Sequence, residues 1–231
     1  MTLDLALNAS FGVAEIALRD RNSYWEGARP LLPTSESDYR TLLEALFTDA
    51  GKTVDELSRI VVGSGPGSFT ALRASYAFVK GLAVGLRIPV IECHSHVAAL
   101  LQHGLNGSSL AVLSAASKRE CFVSRFEPDQ GAMRYLGTIF SPLSDLLRYL
   151  EKSDEVLIVG GSPDIESALM SMILDKPVVR SLGECAQGLF RHLDVRTVDC
   201  ISAYNHCELS AISPAYGREV TAKTIAERSA L

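Results

Sequence analysis

The sequence predicts an α/β protein of two similar lobes, and three observations support this fold class. Short β-branched or alternating apolar segments, typical of strands, precede longer segments with apolar residues at helical spacing. The order of strands, helix, strand and helix occurs in each half of the chain, although no sequence repeat is visible. The turn-rich stretch Leu105-Asn106-Gly107-Ser108 separates the halves. We therefore predict domains at residues 1–105 and 106–231.

The first half reads as an antiparallel meander followed by alternating helices and strands. Short turns join its first three strands, and Gly51 stands where a helix C-terminal glycine is expected. The predicted strands are 2–9, 13–19, 24–29, 60–62 and 89–92, and the predicted helices are 38–50, 70–86 and 95–103.

The second half repeats this order with weaker signals. A helix is expected to begin at the cap formed by Ser141 and Pro142 and to run to Leu150, because proline is favoured at a first helical position. The other predictions are strands at 109–114, 120–127, 133–140 and 155–159, helices near 164–174 and 185–192, and an extended segment at 212–216. The rest of 193–231 gives no clear pattern.

The composition is that of a soluble globular protein, with 47% hydrophobic and 21% charged residues. A net charge of −5 without a Lys/Arg cluster argues against a chain that holds nucleic acid by itself. Neither a membrane span nor a signal peptide is recognisable. Five irregularly spaced cysteines suit reduced thiols, so we expect a cytoplasmic protein.

The most informative segment is the loop Gly63–Thr70, between a predicted strand and a predicted helix. Its glycines permit a tight turn, and Ser68 and Thr70 are good helix N-cap residues. A phosphate-binding P-loop would need Gly-Lys at the positions of Ser68 and Phe69, and a dinucleotide fingerprint would need glycine at Ser68. A structural or interface loop and an anion site bound by backbone N–H groups both stay open.

The predicted helix 70–86 carries a stripe of small residues. These are Ala74, Ala77, Gly81 and Gly85. A glycine in a helix interior costs about 0.8–1 kcal/mol relative to alanine, so two of them indicate that another backbone approaches closely. That backbone belongs either to the sheet of this chain or to a partner subunit, whose contact Arg73, Tyr76 and Lys80 would border.

Two groups of candidate metal ligands lack the spacing of known metal sites. They are His94 with His96, and Cys200 with His206 and Cys207. Neither group forms a His-Glu-x-x-His or Cys-x-x-Cys pattern, so we expect structural or surface roles and no metal. No Gly-x-Ser-x-Gly nucleophile motif is present either. The residues alone therefore indicate no assembled catalytic group.

The glycine loop also carries a resemblance to a known family. The segment Gly65–Thr70, with Arg73 one turn later, resembles the hallmark of the TsaB (YeaZ) family. The similarity continues through Gly81–Leu86 and Pro214–Val220, and so covers nearly the whole chain. Members of this family have the actin-like ATPase fold, so the resemblance implies two RNase H-like lobes with mixed sheets flanked by helices.

The resemblance implies a role in threonylcarbamoyl modification of adenosine 37 in tRNAs that read ANN codons. In that pathway TsaB is an accessory subunit, TsaD holds the metal and transfers the group, and the ATPase TsaE joins them. For this chain we therefore expect TsaD-like and TsaE-like partners, a homodimer when it is alone, and tRNA contact only through the complex. We expect no cofactor of its own, with ATP and a metal ion in the partner subunits.

Family members pair through their first two helices, which here are about 37–50 and 70–86. The glycine spacing and the resemblance thus indicate the same surface. The predicted interface residues are Tyr39, Leu42, Leu46, Arg73, Ala74, Tyr76, Ala77, Lys80 and Gly81. The loop residues predicted to contact an anion or the partner are Gly65, Pro66, Gly67, Ser68, Phe69 and Thr70.

Three departures from the family pattern argue against catalysis by this chain. Asn8 replaces a usual aspartate and lacks the charge to hold Mg²⁺ well, Ser35-Glu36 replaces His-Ser, and Ala115-Ala116-Ser117 replaces Asp-Ala-Arg. The alternative is an actin-like enzyme, either a phosphotransferase or a glycoprotease-type peptidase. A self-associating homodimer with another client is a third reading.

Overall fold

Two five-stranded sheets form the centre of the protein in a computed structural model, which describes residues 2–31, 39–160, 167, 170–171, 176–181, 185–195 and 204–216. The strands of the first sheet are β1 (Leu3–Asn8), β2 (Val13–Arg19), β3 (Tyr24–Pro30), β4 (Leu57–Gly63) and β5 (Val90–Cys93). The strands of the second sheet are β6 (Leu110–Ser117), β7 (Glu120–Asp129), β8 (Ala132–Pro142), β9 (Glu155–Val159) and β10 (Val178–Ser181).

The two sheets have the same topology. The strand order is β3-β2-β1-β4-β5 in the first and β8-β7-β6-β9-β10 in the second. In each sheet three antiparallel strands form a meander, and two later strands add in parallel beside the first of them. This topology confirms the prediction of two similar lobes built on mixed sheets.

Helices lie on both faces of the first sheet. The described helices are α1 (Tyr39–Ala50), α2 (Phe69–Leu86), α3 (Ser95–His103), α4 (Leu147–Leu150), α5 (Ala186–Val195) and α6 (His206–Ala211). Helices α1 and α2 cover one face, where alternate side chains of the central strands, such as Leu5 and Ile60, enter a shared core. Helices α3 and α5 lie between the sheets, with Val61 on one side and Val112 on the other. Among the described helices, none has the length and apolar character required to span a membrane.

Two helices of the second half pack on the first lobe. The buried carboxylate of Glu15 in β2 accepts hydrogen bonds from the N–H groups of Cys185 and Ala186, at 2.8 and 2.9 Å, at the beginning of α5. Leu209 of α6 joins the core beneath α1 and α2. The first sheet uses strands up to Cys93 and the second uses strands from Leu110 onward, while α5 and α6, from the predicted second domain, pack on the first lobe.

The structure departs from the sequence prediction at residues 141–150. Ser141 and Pro142 do not cap a helix but end β8, where they pair with Cys121 and Glu120. Proline is tolerated there because its strand lies at the sheet edge. A short 3₁₀ turn, Leu143–Asp145, and the single turn of α4 follow. Strand β10 and helix α6 were not predicted, and most of the predicted helix 164–174 lies outside the described residues.

Candidate functional site

The glycine loop between β4 and α2 is enclosed by other parts of the chain. A Cβ atom added at Gly67 would lie 2.5 Å from the carbonyl oxygen of Ser10. At Gly65, whose φ is +102°, an added Cβ would overlap the carbonyl oxygen of Ala215. Glycine is therefore required at both positions because two other backbone segments approach the loop too closely for a side chain.

Polar groups of the loop are bound within the chain. The N–H of Gly65 donates to the hydroxyl of Ser95 at 3.1 Å, and the N–H of Ser95 donates to the carbonyl of Gly65 at 2.8 Å. The Ser95 hydroxyl also donates to Asn8 Oδ1 at 3.2 Å and lies 2.6 Å from the Ser10 hydroxyl. These buried contacts favour a structural joint over a phosphate cradle, the alternative that the sequence left open.

The side chains around the loop do not fit a metal–nucleotide complex. Asn8, Ser10 and Ser95 are buried and neutral, and the Asn8 carbonyl oxygen already accepts a hydrogen bond. Elsewhere, Ala115 pairs with Cys121 in the second sheet, while Ser35 and Glu36 lie outside the described residues. In the described part of the chain, no three His, Cys, Asp or Glu side chains are grouped to hold a metal ion.

The candidate metal ligands have different surroundings. His96 is fully buried, with Nδ1 2.6 Å from the Ser124 hydroxyl and Nε2 2.8 Å from the Ser114 hydroxyl. Burial lowers the pKa of His94 to about 4 and holds the pKa of His96 well below its usual value, so both rings are neutral at pH 7. Cys200 and the side chain of His206 lie outside the described part, and Cys207 is exposed.

The beginning of α2 combines a cap with an aromatic contact. The Ser68 hydroxyl accepts a hydrogen bond from the N–H of Ala71, which confirms Ser68 rather than Thr70 as the N-cap. The centre of the Phe69 ring lies 4.6 Å from that of the Tyr216 ring. The Arg73 guanidinium also contacts Phe69, at 5.2 Å from the ring centre. Phe69 of the loop motif thus stabilises the position of the exposed Arg73 side chain through a cation–π contact.

Four of the predicted interface residues belong to the core of this chain. They are Tyr39, Leu42, Leu46 and Tyr76, each less than 8% exposed. They form the apolar stripes through which amphipathic helices α1 and α2 pack on the first sheet. These four side chains pack inside this chain rather than face a partner, which corrects the prediction for them. Of the other predicted residues, Arg73, Ala77 and Gly81 are exposed.

One face of α2 is open to solvent. Its members recur at helical intervals of three and four and are hereafter the open face of α2: Arg73, Ala77, Gly81, Val84 and Gly85. Within the described residues, a Cβ added at Gly81 or Gly85 would have no neighbouring atom within 4 Å. The sheet of this chain therefore does not explain these two glycines. The other predicted residues, Ala74 and Lys80, are half-buried, and the Lys80 amine donates to the carbonyl of Ser210 at 3.3 Å.

Comparison with curated proteins connects the chain with tRNA modification. TsaB of Escherichia coli strain K12, a tRNA threonylcarbamoyladenosine biosynthesis protein, is 23% identical over 94 residues, which cover 40% of this chain and 41% of that protein. The tRNA N6-adenosine threonylcarbamoyltransferase of Chromobacterium violaceum is 35% identical over 92 residues, which cover 39% of this chain and 23% of that enzyme. The matched regions thus span less than half the length of either relative.

Comparison with solved structures gives the fold over a longer span. A Pseudomonas aeruginosa protein described as similar to the peptidase YeaZ has a TM-score of 0.73 and 20% identity, covering 94% of this chain and all of that chain. The resemblance to TsaB (YeaZ) is therefore confirmed, as is the predicted fold of two mixed sheets flanked by helices. The family model for TsaD, tRNA N6-adenosine threonylcarbamoyltransferase, matches residues 36–171. Because this match covers more than half of the chain, the chain belongs to the TsaD family.

Proposed function

We propose that this chain is a non-catalytic subunit that pairs with a TsaD-like enzyme and supports threonylcarbamoylation of adenosine 37 in tRNAs that read ANN codons. The observation that carries the proposal is the open face of α2. It lies on one of the two helices through which the resemblance predicts pairing. Its two glycines have no neighbour in the described chain that would require them.

The two glycines of the open face lower the stability of α2 in the isolated chain. Gly81 and Gly85 each destabilise α2 by about 0.8–1 kcal/mol relative to alanine. Close approach of a partner helix can offset this cost, because small residues let two helix backbones come together with more van der Waals contact. Val84, at 48% exposure, supplies apolar area beside them, and Arg73 supplies a cation at one end. The surface therefore suits a helix from another subunit.

The accessory role rests on the glycine loop. Its closest side chains are neutral, and the backbone of Gly65 is hydrogen-bonded within the chain. The TsaD family model, which describes a transferase, favours a second candidate, namely that this chain is itself an actin-like enzyme with its own nucleotide or peptide substrate. We assign ATP and the metal ion to the partner subunits, including a TsaE-like ATPase, and tRNA contact to the complex. When the chain is alone, we expect a homodimer.

Reconstitution tests the proposal. The chain is combined with the TsaD-like and TsaE-like proteins of the same organism and with a TsaC-like protein, a further member of the same tRNA-modification pathway. ATP, threonine, bicarbonate and an unmodified tRNA that reads an ANN codon are added. Modified adenosine is then measured by mass spectrometry, with and without this chain. We expect modification to fall to background when the chain is omitted. Unchanged modification on omission would refute the proposal, and saturable ATP binding by the chain alone in calorimetry would support the enzyme.

A further inference from the structure

A chain of hydrogen bonds links the two lobes through a pair of histidines. His94 follows β5 and His96 lies in the first turn of α3, so both belong to the first lobe. His96 contacts Ser114 in β6 and Ser124 in β7, both in the second sheet. Because each ring nitrogen of His96 has one hydroxyl partner, a neutral ring satisfies the network with one nitrogen donating and the other accepting.

The network continues to the surface through β8. The Ser124 hydroxyl lies 2.6 Å from the Thr138 hydroxyl, which lies 2.7 Å from the hydroxyl of the exposed Tyr135. His94 Nε2 joins the same cluster, at 3.1 Å from the Thr138 hydroxyl and 3.3 Å from that of Tyr135. Hydroxyl groups and two imidazole rings therefore fill this part of the lobe junction, with no ionised group among the bonded members.

A positive charge on either histidine would lack compensation. Buried Nδ1 of His94 has no hydrogen-bond partner among the described residues, so its protonation would place an unpaired donor in the interior. The His94 and His96 rings are 5.7 Å apart, so two charges would also repel each other. Phe11, whose ring stacks on His96 at 5.6 Å, offers an apolar surface on the remaining side.

The hydrogen bonds of the two histidine rings are made to hydroxyl groups and not to carboxylates of the neighbouring elements. Glu92 on β5 accepts a hydrogen bond from Tyr76, and Glu127 on β7 pairs with Arg125. The remaining titratable groups on the described elements around the pair are Asp4, Glu15 and Arg19 on β1 and β2, Cys93, His103, Glu120, Cys121, Asp129, Arg134, Tyr135, Glu155, Cys185, Arg191, His192 and Asp194. None of these carboxylates is hydrogen-bonded to either ring in the network described above.

We propose that His94 and His96 form a proton-sensitive latch between the lobes, which holds α3 against β7 and β8 while both rings are neutral and loosens when they take up protons. This inference concerns the lobe junction and does not depend on the proposed function. The latch would make the position of the two lobes relative to each other depend on pH.

The sign of the pH dependence follows from burial. The pKa of His94 is lowered from its usual value of 6.5 to about 4, and the pKa of His96 is also lowered, mainly through burial. The unfolded chain therefore binds more protons than the folded chain as the pH falls below about 6.5. The stabilisation is complete above the unfolded pKa and is lost as the pH falls towards 4. For His94 alone, lowering the pH from 7 to 5 should raise the unfolding equilibrium constant about 20-fold.

Denaturant unfolding of the full chain at pH 7 and pH 5 tests the energetic part. The titrating rings are removed in two steps. His94→Gln changes a half-buried position, and the double variant His94→Gln/His96→Gln removes both rings. The control is His103→Gln, at the other end of α3 and outside the network. We expect the effect of pH on the unfolding equilibrium constant to be about 20-fold larger in the wild-type chain than in His94→Gln. His103→Gln should reduce that effect by less, because burial also lowers the pKa of His103 but its ring is partly exposed. Equal pH effects in His94→Gln and wild type would overturn the proposal.

Hydrogen exchange of the wild-type chain, followed by mass spectrometry, locates the loosening and needs no variant to fold. After correction for the intrinsic effect of pH, peptides from α3 and β8 should exchange at least several-fold faster at pH 5 than at pH 7, while α1 should not change. Exchange that is unchanged in α3 and β8, or that increases equally in α1, would overturn the latch.

Discussion

Helices α5 and α2 each contain glycine, but in opposite surroundings. Gly188 in α5 faces α3 so closely that an added Cβ would overlap the backbone carbonyl of Ala98. Gly81 in α2 would place the same atom in open space, with no described atom within 4 Å. The first glycine is explained by a helix contact inside the chain, whereas the second lacks such a contact. A helical glycine that packs against another backbone within the chain therefore leaves no room for a side chain, whereas a glycine without such a neighbour does.

The glycine loop belongs with α5 in this comparison. Gly67 approaches the backbone of Ser10, and Gly65 approaches that of Ala215, so the conspicuous motif is needed for folding. The less conspicuous glycines of α2 are the ones that folding does not explain. A glycine's contribution to function is therefore better judged by the space beside it than by its motif.

Alanine at Gly188 should have the largest effect on stability. Although alanine is intrinsically better in a helix, the new methyl group would push against the backbone of Ala98, which cannot rotate away. We expect a net loss of about 3 kcal/mol in the free energy of unfolding, the upper part of the range for overpacked cores. Urea unfolding measures it. A gain in stability would show that α5 and α3 are not in close contact and would remove the basis of the comparison.

Gly67→Ala should have the next largest effect, because its methyl group would meet the Ser10 carbonyl at 2.5 Å. A loop can adjust more than two packed helices, so we expect a loss of about 2 kcal/mol. Thermal unfolding followed by circular dichroism compares Gly67→Ala with the wild type. Gly12→Ala is not a suitable control, because the positive φ of Gly12 alone disfavours alanine. An unchanged melting temperature would show that the backbone of Ser10 does not hold the loop as closely as the 2.5 Å contact implies.

Gly81→Ala should change stability least and in the opposite direction. With no described neighbour, alanine gains its helix preference, and we expect the isolated chain to be stabilised by about 0.8–1 kcal/mol. The same variant should weaken pairing, because a methyl group would separate two closely packed backbones. The two quantities are measured by urea unfolding and by titration with the TsaD-like partner. Destabilisation of the isolated chain would indicate that α2 already has a neighbour within this protein.

The first lobe was predicted well because its local signals agree with its packing. Strand β2 and helix α3 have the predicted bounds, and α2 begins one residue earlier than predicted, after the Ser68 cap. Residues 141–150 were mispredicted because proline suits both a helix start and the end of an edge strand, and only the pairing with β7 decides between them. Strand β10 was missed because only two of its four residues, Val178 and Val179, are apolar, which is too few to give a strand pattern.

The sequence predicted the stripe of small residues on α2 but not which of the neighbouring side chains are buried. Helical spacing identified the stripe on α2, yet it could not tell which side faces the core, so the buried Tyr76 was grouped with the exposed Ala77. The network around His96 was missed because Ser114 and Ser124 have no distinguishing local signal. They meet the ring only because β6 pairs with β7 and α3 packs on that sheet. Such long-range contacts are beyond any reading of local pattern.

The central claim is that the open face of α2 binds a TsaD-like subunit, and the affinity of one variant pair tests it most directly. Ala77→Glu places a carboxylate in the middle of that face, whereas Ala132→Glu makes the same change at an exposed alanine at the beginning of β8. Isothermal titration with the partner of the same organism should show binding by the control equal to wild type. We predict that Ala77→Glu weakens binding at least about 30-fold, because an unpaired buried charge costs roughly 2 kcal/mol or more. Equal affinity of the two variants would contradict the account.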